Sequence, residues 1–290
     1  MKYKKTPGSI VFDVVNTTLL IALAVVTLYP YLYVISASLS DPVELYRSSK
    51  FILLPKGFNL LSYKIVFKNP MLFQAYFNTI TYVVLGTAIN MIMNIFSAYT
   101  LSKKFLPGSK VIMKLIVFTM FFSGGMIPTF ILVFKLGMID TLWAMVLPNA
   151  VSAMNIIIMR TFFMGIDPAV EESASIDGAN DITILFRIVL PLATPVIAVI
   201  TLFYAVRHWN SFFDALLYLR SRTKSPLQLV LRDILISNDK SMTTGIYDNA
   251  QAVSENVKYA LIVVSTLPIL FLYPYLQKYF VKGIMVGSIK

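Results

Sequence analysis

Long apolar stretches separated by short clusters of charged residues dominate the pattern of this chain. The stretches without any charged side chain are 14–39, 71–101, 115–134, 141–159, 188–206 and 259–277. About 20 apolar residues in an α-helix cross the hydrocarbon core of a bilayer, whereas a charge near its centre is costly. None of the stretches alternates polar and apolar residues with a period of two, which favours helices over a barrel. The pattern predicts an all-α integral membrane protein with six transmembrane helices.

Composition agrees with this interpretation. Of the 290 residues, 57% are hydrophobic and 13% are charged, whereas soluble domains contain about 45–50% apolar and about 25% charged residues. The net charge of +11 is compatible with nucleic-acid binding. In a membrane protein, however, such an excess reflects lysine and arginine that flank the spans. We therefore expect contact with membrane lipid and not with nucleic acid.

The basic residues around the spans indicate the orientation of the chain. An even number of spans places both termini on one side, and positive residues favour the cytoplasm. The segment 40–70 carries five basic residues and falls outside in this topology, which argues against it. We nevertheless predict cytoplasmic N- and C-termini. The residues that favour this orientation are Lys2, Lys4, Lys5, Lys103, Lys104, Lys110, Lys278, Lys282 and Lys290.

The organisation of the chain follows from its spans and two sizeable polar loops. The loops are residues 40–70 and 221–257, both predicted to be external, and the second contains a short amphipathic segment. Residues 1–70 would form an N-terminal tail, the first helix and its loop. Residues 71–290 would form a membrane core with the remaining five helices.

One short acidic element interrupts the apolar pattern between the fourth and fifth spans. Asp167 followed by Pro168 is typical of a helix start, with an acid at the N-cap and a proline at the first helical position. Glu171 lies near the positive end of the helix dipole. Gly178 can adopt the left-handed conformation that ends a helix, and Asp181 can cap a second one. The residues predict a short helix, a tight turn and a second helix.

The second helix continues into the fifth span. Pro191 and Pro195 lie in this continuation and are expected to kink it, which neighbouring membrane helices tolerate. A short helix held between two spans by a tight turn transmits a displacement to both, whereas a flexible loop does not.

The spacing within residues 167–191 is regular over a long motif. It reads Glu172-Ser173-Ala174, then Gly178, then Ile188-Val189-Leu190-Pro191. This resembles the EAA signature of permease subunits of ATP-binding-cassette importers, which is Glu-Ala-Ala, three residues, Gly, nine residues and Ile-x-Leu-Pro. Ser173 replaces the first alanine, and its small side chain still permits close packing.

Longer segments extend the resemblance from Phe12 to the C-terminus. The segments "FFSGGMIPTFILVFKLGMIDTLWAMVLPNAVSAMNIIIMRTFF" and "HWNSFFDALLYL" look like the MalG-type carbohydrate branch of these permeases. Within that branch they resemble the LplC/YtcP-like group assigned to oligosaccharide uptake. The resemblance implies the six-helix type I importer permease fold, in a bacterial cell membrane, with a cytoplasmic coupling helix in the loop 167–191.

The resemblance also implies partners and a role for the acidic element. The partners would be a second homologous permease, two ATPases and an extracellular or periplasmic solute-binding protein. Glu172 would be the acid at the ATPase contact, Ala174 the small residue that allows close approach, and Gly178 the turn. The candidate coupling residues are Glu171, Glu172, Ser173, Ala174, Asp177, Gly178, Ile188, Leu190 and Pro191.

The sequence lacks the motifs of an enzyme. It has no Gly-Lys dipeptide and hence no Walker A phosphate loop, so ATP and Mg²⁺ would be bound by the partner ATPases. His208 is the only histidine and there is no cysteine, which excludes multi-histidine and thiolate metal sites. We expect neither a cofactor nor a metal in this chain.

Polar side chains in or beside the spans are candidates for the substrate pathway. These candidates are Asn78, Asn94, Asn155, Trp209, Asn210 and Asp214, with Asn90, Arg207 and His208 close to them in sequence. Hydrogen bonds and aromatic faces suit a sugar. Asparagine in a span also commonly bonds to a neighbouring helix, and aromatic residues at a span end commonly lie at the membrane interface.

The predicted function is import of a sugar or oligosaccharide by alternating access, driven by partner ATPases. The basic external loops could suit an acidic oligosaccharide, lipid headgroups or the binding protein. One alternative keeps the architecture and changes the cargo to a peptide or another polar solute. Another is an ion-coupled secondary transporter, which predicts inverted repeats and charged residues at mid-membrane. An intramembrane enzyme is a further alternative, but it lacks its catalytic set.

Overall fold

The computed structural model describes residues 6–48, 51–103, 105–237 and 250–286, and regular structure in these residues is helical. The helices are α1 (Pro7–Ser38), α2 (Pro42–Arg47), α3 (Leu61–Lys68), α4 (Pro70–Ser102), α5 (Ser109–Phe121), α6 (Met126–Lys135), α7 (Leu142–Val146), α8 (Ala153–Met164), α9 (Pro168–Ile176), α10 (Asp181–Ile184), α11 (Leu190–Leu192), α12 (Thr194–Trp209), α13 (Phe212–Tyr218), α14 (Leu227–Ser237) and α15 (Ala250–Val286). A π-helical turn at Leu185–Val189 joins α10 to α11.

The predicted all-α fold with six transmembrane helices is confirmed. Helices α1 and α4 and residues 252–271 of α15 are each long and apolar enough to cross a membrane. Three further pairs of helices pass the same test together but are sharply bent. The bend is 110° between α5 and α6, 55° within α7–α8, and 86° between α10–α11 and α12. Counting each bent pair as one span gives six spans.

The chain divides into two compact units. The first comprises residues 1–70 and 233–267, and the second comprises residues 71–232 and 268–290. The proposed division into an N-terminal segment and a membrane core stays a prediction. Part of the predicted external loop and several orientation residues lie outside the described side chains, namely 238–249, Lys2, Lys4, Lys5, Lys104, Lys278, Lys282 and Lys290.

Helix α1 of the first unit presents apolar side chains on all sides. The Thr6 hydroxyl accepts a hydrogen bond from the Ser9 backbone N–H, and Pro7 occupies the first helical position. The most apolar stretch of the helix is 0% buried in the structure. Packing among the described residues therefore leaves this stretch of α1 to be covered by lipid or by another membrane protein.

The described part of the predicted loop 40–70 is ordered by local capping. Asp41 caps α2 by accepting a hydrogen bond from the Val43 backbone N–H at 2.9 Å, and it accepts another from Asn59 Nδ2 at 3.1 Å. The bond from Asn59 outweighs the effect of burial and lowers the pKa of the Asp41 carboxyl. Across the same unit, Asn256 Nδ2 on α15 donates to the Ser40 carbonyl at 2.7 Å.

The core of the second unit is built by α4, α8 and the bent segment α10–α12. Its buried side chains include Met91, Tyr99, Met159, Phe163, Ile184, Leu185, Val189, Ile200 and Tyr204. The predicted proline kink is present, because the 86° bend falls at Ala193, between Pro191 and Pro195. Each proline removes a backbone donor and clashes with the preceding turn. The acidic element thus leads directly into the core of this unit.

Candidate functional site

The first half of the element at 167–191 has the predicted helix and turn. Asp167 caps α9 through its side chain. The helix ends in a Schellman motif, in which Gly178 N–H donates to the Ser175 carbonyl at 3.1 Å and Ala179 N–H to the Ala174 carbonyl at 2.9 Å. Gly178 has φ +86, and nothing lies within 4 Å of the position that a Cβ would occupy. The backbone conformation, not steric crowding, requires glycine here.

The second helix of this element is capped by a different residue from the one predicted. Asn180, and not Asp181, is the N-cap, and its Oδ1 accepts a hydrogen bond from the Thr183 backbone N–H at 2.8 Å. The Schellman turn ends at Ala179, so Asn180 is the residue with the extended backbone that a cap requires. Asp181 begins the helix, where its charge faces the positive end of the dipole.

The coupling candidates divide according to burial. Ala174 and Leu190 pack against the core of the second unit, and Ile188 is half-buried. The neighbouring Ile176, which the sequence did not mark, is 87% exposed at the end of α9. The candidates on the exposed side are Glu172, Ser173, Asp177, Gly178 and Pro191. This exposed set is the part of the element that another protein can contact.

Glu171 is paired with Lys103, a residue that the sequence analysis uses only to predict the orientation of the chain. Lys103 Nζ forms an ion pair with Glu171 Oε2 and lies 4.1 Å from the centre of the Tyr99 ring. The Tyr99 ring packs edge-on against Phe163 at 6.3 Å. Burial by itself lowers the pKa of Lys103, but the hydrogen bonds to Glu171 and Tyr99 outweigh it and raise the pKa overall. Lys103 is therefore positively charged at neutral pH, and its ion pair with Glu171 ties α9 to the end of α4.

Two further contacts fix the same corner. Arg160 Nε on α8 donates to the Leu101 carbonyl at 2.7 Å, and the Tyr99 hydroxyl donates to the Asp181 carbonyl at 3.4 Å. Sequence reasoning missed these residues as parts of the site. In the sequence, Lys103 and Arg160 are basic residues at the ends of spans. Basic residues at these positions also occur where they only determine the orientation of the chain in the membrane, so their contacts could not be predicted.

Removing the Lys103–Glu171 pair is expected to loosen α9. We expect Lys103→Met to cost about 1.5–3 kcal/mol, the usual value of a hydrogen bond to a charged group. Amide exchange in α9 should then be roughly 10–100-fold faster if that cost falls on local opening. Hydrogen exchange with mass spectrometry measures this directly. The double variant Lys103→Glu/Glu171→Lys should recover part of the protection, and unchanged exchange in Lys103→Met would contradict the tether.

Polar side chains of α4 face the break between α7 and α8. Asn90 Nδ2 donates to the carbonyls of Asn149 at 2.8 Å and Ala150 at 2.7 Å, and its Oδ1 lies 2.6 Å from His208 Nε2. A helix end leaves carbonyl groups without partners, and lipid supplies none. Asn90 therefore supplies hydrogen-bond donors to the carbonyl groups at the break between α7 and α8, and its contact with His208 connects this break to α12.

Asn94 and Asn155 belong to the same buried network. Asn94 is 0% and Asn155 8% exposed. Asn94 Nδ2 donates to the Asn155 carbonyl at 3.4 Å, and Asn94 Oδ1 accepts from the Tyr204 hydroxyl at 3.2 Å. The amide of Asn94 is thus engaged by its own chain. Contact of either residue with cargo stays a prediction.

Asn78 lies apart from this network and holds the segment that follows α13. Its Nδ2 donates to the carbonyls of Thr223 at 2.7 Å and Ser225 at 3.1 Å, and its Oδ1 accepts from Gln74 Nε2 at 3.1 Å. The Tyr82 hydroxyl donates to the neighbouring carbonyl of Lys224. The Asn78 amide therefore makes three hydrogen bonds to its own chain.

The segment that Asn78 holds is also fixed by Asp140. Asp140 has φ +59, which is uncommon for a residue other than glycine. Its carboxylate accepts from the Ser221 hydroxyl at 2.6 Å and pairs with Lys224 Nζ at 2.9 Å. The bonds from Ser221, followed by that from Lys224, hold the pKa of Asp140 well below its usual range. The connection after α13 is therefore a rigid part of the second unit.

The remaining candidates lie at the end of α12 and on α13. Trp209 is 7% exposed, with its ring centre 6.4 Å from that of Tyr76. Asn210 is exposed, and Asp214 accepts a hydrogen bond from Asn149 Nδ2 at 3.1 Å. The structure brings Asp214 to the edge of the network around Asn90, whereas Asn210 faces outward.

Comparison with known proteins covers nearly the whole chain. Residues 71–286 match the family model described as "Binding-protein-dependent transport system inner membrane component". Protein LplC of Bacillus subtilis (strain 168) is 44% identical over 286 residues, which are 98% of this chain and 97% of LplC. The polygalacturonan/rhamnogalacturonan transport system permease protein YtcP of the same strain is 43% identical, covering 96% of this chain and 98% of YtcP.

A solved structure gives the same result in three dimensions. It is the crystal structure of a bacterial ABC transporter involved in the import of the acidic polysaccharide alginate. One of its chains superposes with a TM-score of 0.88 at 35% identity, covering 96% of this chain and all of that one. The similarity therefore extends over nearly the whole chain.

Proposed function

This chain belongs to the family of binding-protein-dependent transport system inner membrane components, and from that premise we propose that it imports an acidic oligosaccharide. The chain is a permease subunit of a sugar or oligosaccharide ABC importer, and we propose that it works by alternating access. The observation that carries the proposal is whole-chain similarity to YtcP and to a chain of the alginate importer. Alginate and polygalacturonan are both polymers of carboxylated sugars.

The electrostatics of the chain support an anionic cargo. The net charge is +11, and a field of one sign raises the local concentration of ligands of the opposite sign. The described helices α2 and α3 and the turn at Arg222–Lys224 all carry basic residues near the predicted external face. Carboxylated sugars would be drawn to such a face.

Other chains would supply the remaining parts of the importer. We assign ATP and Mg²⁺ to two partner ATPases, and no cofactor to this chain, because the sequence lacks a phosphate-binding loop. A second homologous permease would cover apolar surface such as that of α1, which is 0% buried along its most apolar stretch. An extracellular or periplasmic solute-binding protein would deliver the cargo. Both termini would be cytoplasmic, on the side of α9.

Helix α9 would be the point at which the ATPases act. Its exposed side carries Glu172, Asp177 and Ile176, while Ala174 and the Lys103–Glu171 pair fix its other side to the second unit. A displacement of α9 would therefore reach α8 and α12 through packed contacts. This arrangement supports transmission of force from an ATPase to the spans.

The cargo assignment is tested by uptake into proteoliposomes that contain the complete importer and its binding protein. Oligogalacturonides or alginate oligosaccharides should be taken up with ATP and should stimulate ATP hydrolysis. Neutral oligosaccharides of the same length should do neither. Equal uptake of neutral and acidic chains, or uptake of peptides alone, would refute an acidic-oligosaccharide importer.

The coupling assignment is tested by reversing the charge at Glu172. In the same proteoliposomes, Glu172→Lys should reduce transport and substrate-stimulated ATPase activity at least ~10-fold, the effect of losing about 1.4 kcal/mol at a protein contact. The matched control is Lys110→Glu, an exposed charge reversal outside the 167–191 element. Wild-type transport and ATPase activity in Glu172→Lys would show that this residue does not couple the two proteins.

A further inference from the structure

Helix α12 carries two chemically different rows of side chains. The buried row, at a spacing of four residues, consists of Val196, Ile200, Tyr204 and His208. A second row contains Phe203 and Arg207, which lie one turn apart on α12, and Asn210, the residue that caps the end of this helix. All three are exposed, Phe203 to 43%. An aromatic ring, a guanidinium and an amide therefore follow one another towards the end of α12.

The contact between His208 and α4 gives the depth of this row in the membrane. His208 Nε2 lies 2.6 Å from Asn90 Oδ1, and Asn90 precedes the end of α4 at Ser102 by about 12 residues, or ~18 Å of helix. Helix α4 carries no charge, and Lys103 follows it at once. Since the hydrocarbon core is about 30 Å thick, Asn90 lies near its middle. Arg207, next to His208, lies at the same depth.

Arg207 forms no ion pair with any residue that the structure describes, because no carboxylate among them lies within salt-bridge distance of its guanidinium. The nearby Asp214 is engaged elsewhere, since its carboxylate accepts a hydrogen bond from Asn149 Nδ2 at 3.1 Å. An arginine at mid-membrane that faced lipid would be strongly disfavoured, so such residues face a partner or a water-filled path.

We propose that Phe203, Arg207 and Asn210 form a glycan-binding stripe in the translocation pathway, where Arg207 binds a carboxylate of the passing oligosaccharide. A guanidinium binds a carboxylate through two parallel hydrogen bonds. The Phe203 ring offers an apolar face to a sugar ring. Asn210 Nδ2 donates to the Val206 carbonyl at 3.0 Å, so Asn210 offers its Oδ1 to a sugar hydroxyl. This inference rests on the proposed function.

The absence of cysteine from the sequence permits a direct test, because Arg207→Cys introduces a single thiol into this chain. In the complete importer, uptake of an oligogalacturonide should fall at least ~10-fold, as expected for the loss of a charged contact. Reaction with aminoethyl methanethiosulfonate restores a cation and should recover uptake, whereas the neutral methyl reagent should not. Excess oligogalacturonide should slow the labelling of the thiol.

Two further variants make the outcome decisive. Lys110→Cys, at an exposed basic residue outside the stripe, should transport normally before and after both reagents. Arg207→Lys should retain assembly and part of the uptake, because lysine keeps the charge but not the two parallel hydrogen bonds of the guanidinium. Equal recovery with the neutral reagent, no protection by oligogalacturonide, or loss of assembly with the partner permease in Arg207→Lys would overturn the stripe. A wild-type importer that transports no oligogalacturonide or alginate oligosaccharide would instead refute the proposed function.

Discussion

Replacing Asn90 with leucine is expected to destabilise the folded chain by about 2–5 kcal/mol. The asparagine makes three hydrogen bonds, two to the carbonyls at the break of α7–α8 and one to His208. Interhelical hydrogen bonds in membrane proteins contribute roughly 0.6–1.7 kcal/mol each. Leucine has a similar size, so the loss reports the hydrogen bonds and not a cavity. Lipid cannot supply replacement partners for the exposed carbonyls.

Equilibrium unfolding of the purified complex in mixed detergent micelles measures this loss. The matched control is Thr81→Val on the same helix, where the hydroxyl only donates to the Phe77 carbonyl at 2.8 Å within its own turn. Its effect should stay within about 0.5 kcal/mol, as for surface substitutions generally. If Asn90→Leu unfolds at the same denaturant concentration as Thr81→Val, the network around the helix break does not stabilise the fold.

Replacing Gly86 with alanine should destabilise the chain by about 1–3 kcal/mol, the usual cost of overpacking. In the middle of a helix this change normally stabilises by up to ~1 kcal/mol. Here, however, the new Cβ would lie 2.5 Å from His208 Nε2 and 2.6 Å from its Cε1. The ring is 3% exposed and bonded to Asn90, so it cannot move without losing that bond. The steric term therefore outweighs the helix propensity.

The same unfolding measurement, made on a double variant, identifies the cause. In Gly86→Ala/His208→Ala the imidazole ring is absent, so the methyl group at position 86 no longer clashes with it. The double variant should therefore lose less stability than the sum of the losses in the two single variants. Gly124→Ala is the matched control, because its Cβ would meet Pro128 Cβ at 3.6 Å, an ordinary contact. Additive losses in the double variant would rule out a clash with His208.

The local geometry of the acidic element could be predicted well from its residues. Asp167, Pro168 and Gly178 each act on the backbone within a few positions, through a cap, a fixed φ and a left-handed turn. Such effects need no distant partner, so the helix and the turn form where the sequence placed them. The sequence predicts Asp181 as the cap of the second helix, one residue too late, because the length of the Schellman turn determines that Asn180 takes this position.

The roles of the membrane asparagines could not be predicted in the same way. Helix α4 is apolar on nearly all sides, as its surroundings are either lipid or protein, so periodicity does not show which face is inside. Polarity alone makes Asn78, Asn94 and Asn155 candidates for the substrate pathway. The structure shows that Asn78 and Asn94 serve different internal contacts, far apart on α4. The sequence pattern places Arg207 at the end of the fifth span, yet the adjacent His208 contacts Asn90 well inside α4, and α13 follows α12 after two residues.

The sequence by itself determined the membrane class, the number of spans, the family signature and the turn at Gly178. These depend on hydrophobicity summed over a span and on backbone preferences of single residues, both of which are local. Tertiary structure decided that Lys103 holds Glu171, that Asn90 completes a broken helix, and that Gly86 makes room for His208. Each of these joins residues many positions apart in sequence, so each depends on which helices pack together. For Asn90 the membrane adds a further reason, because a polar group there finds its partner on a neighbouring helix and not in the solvent.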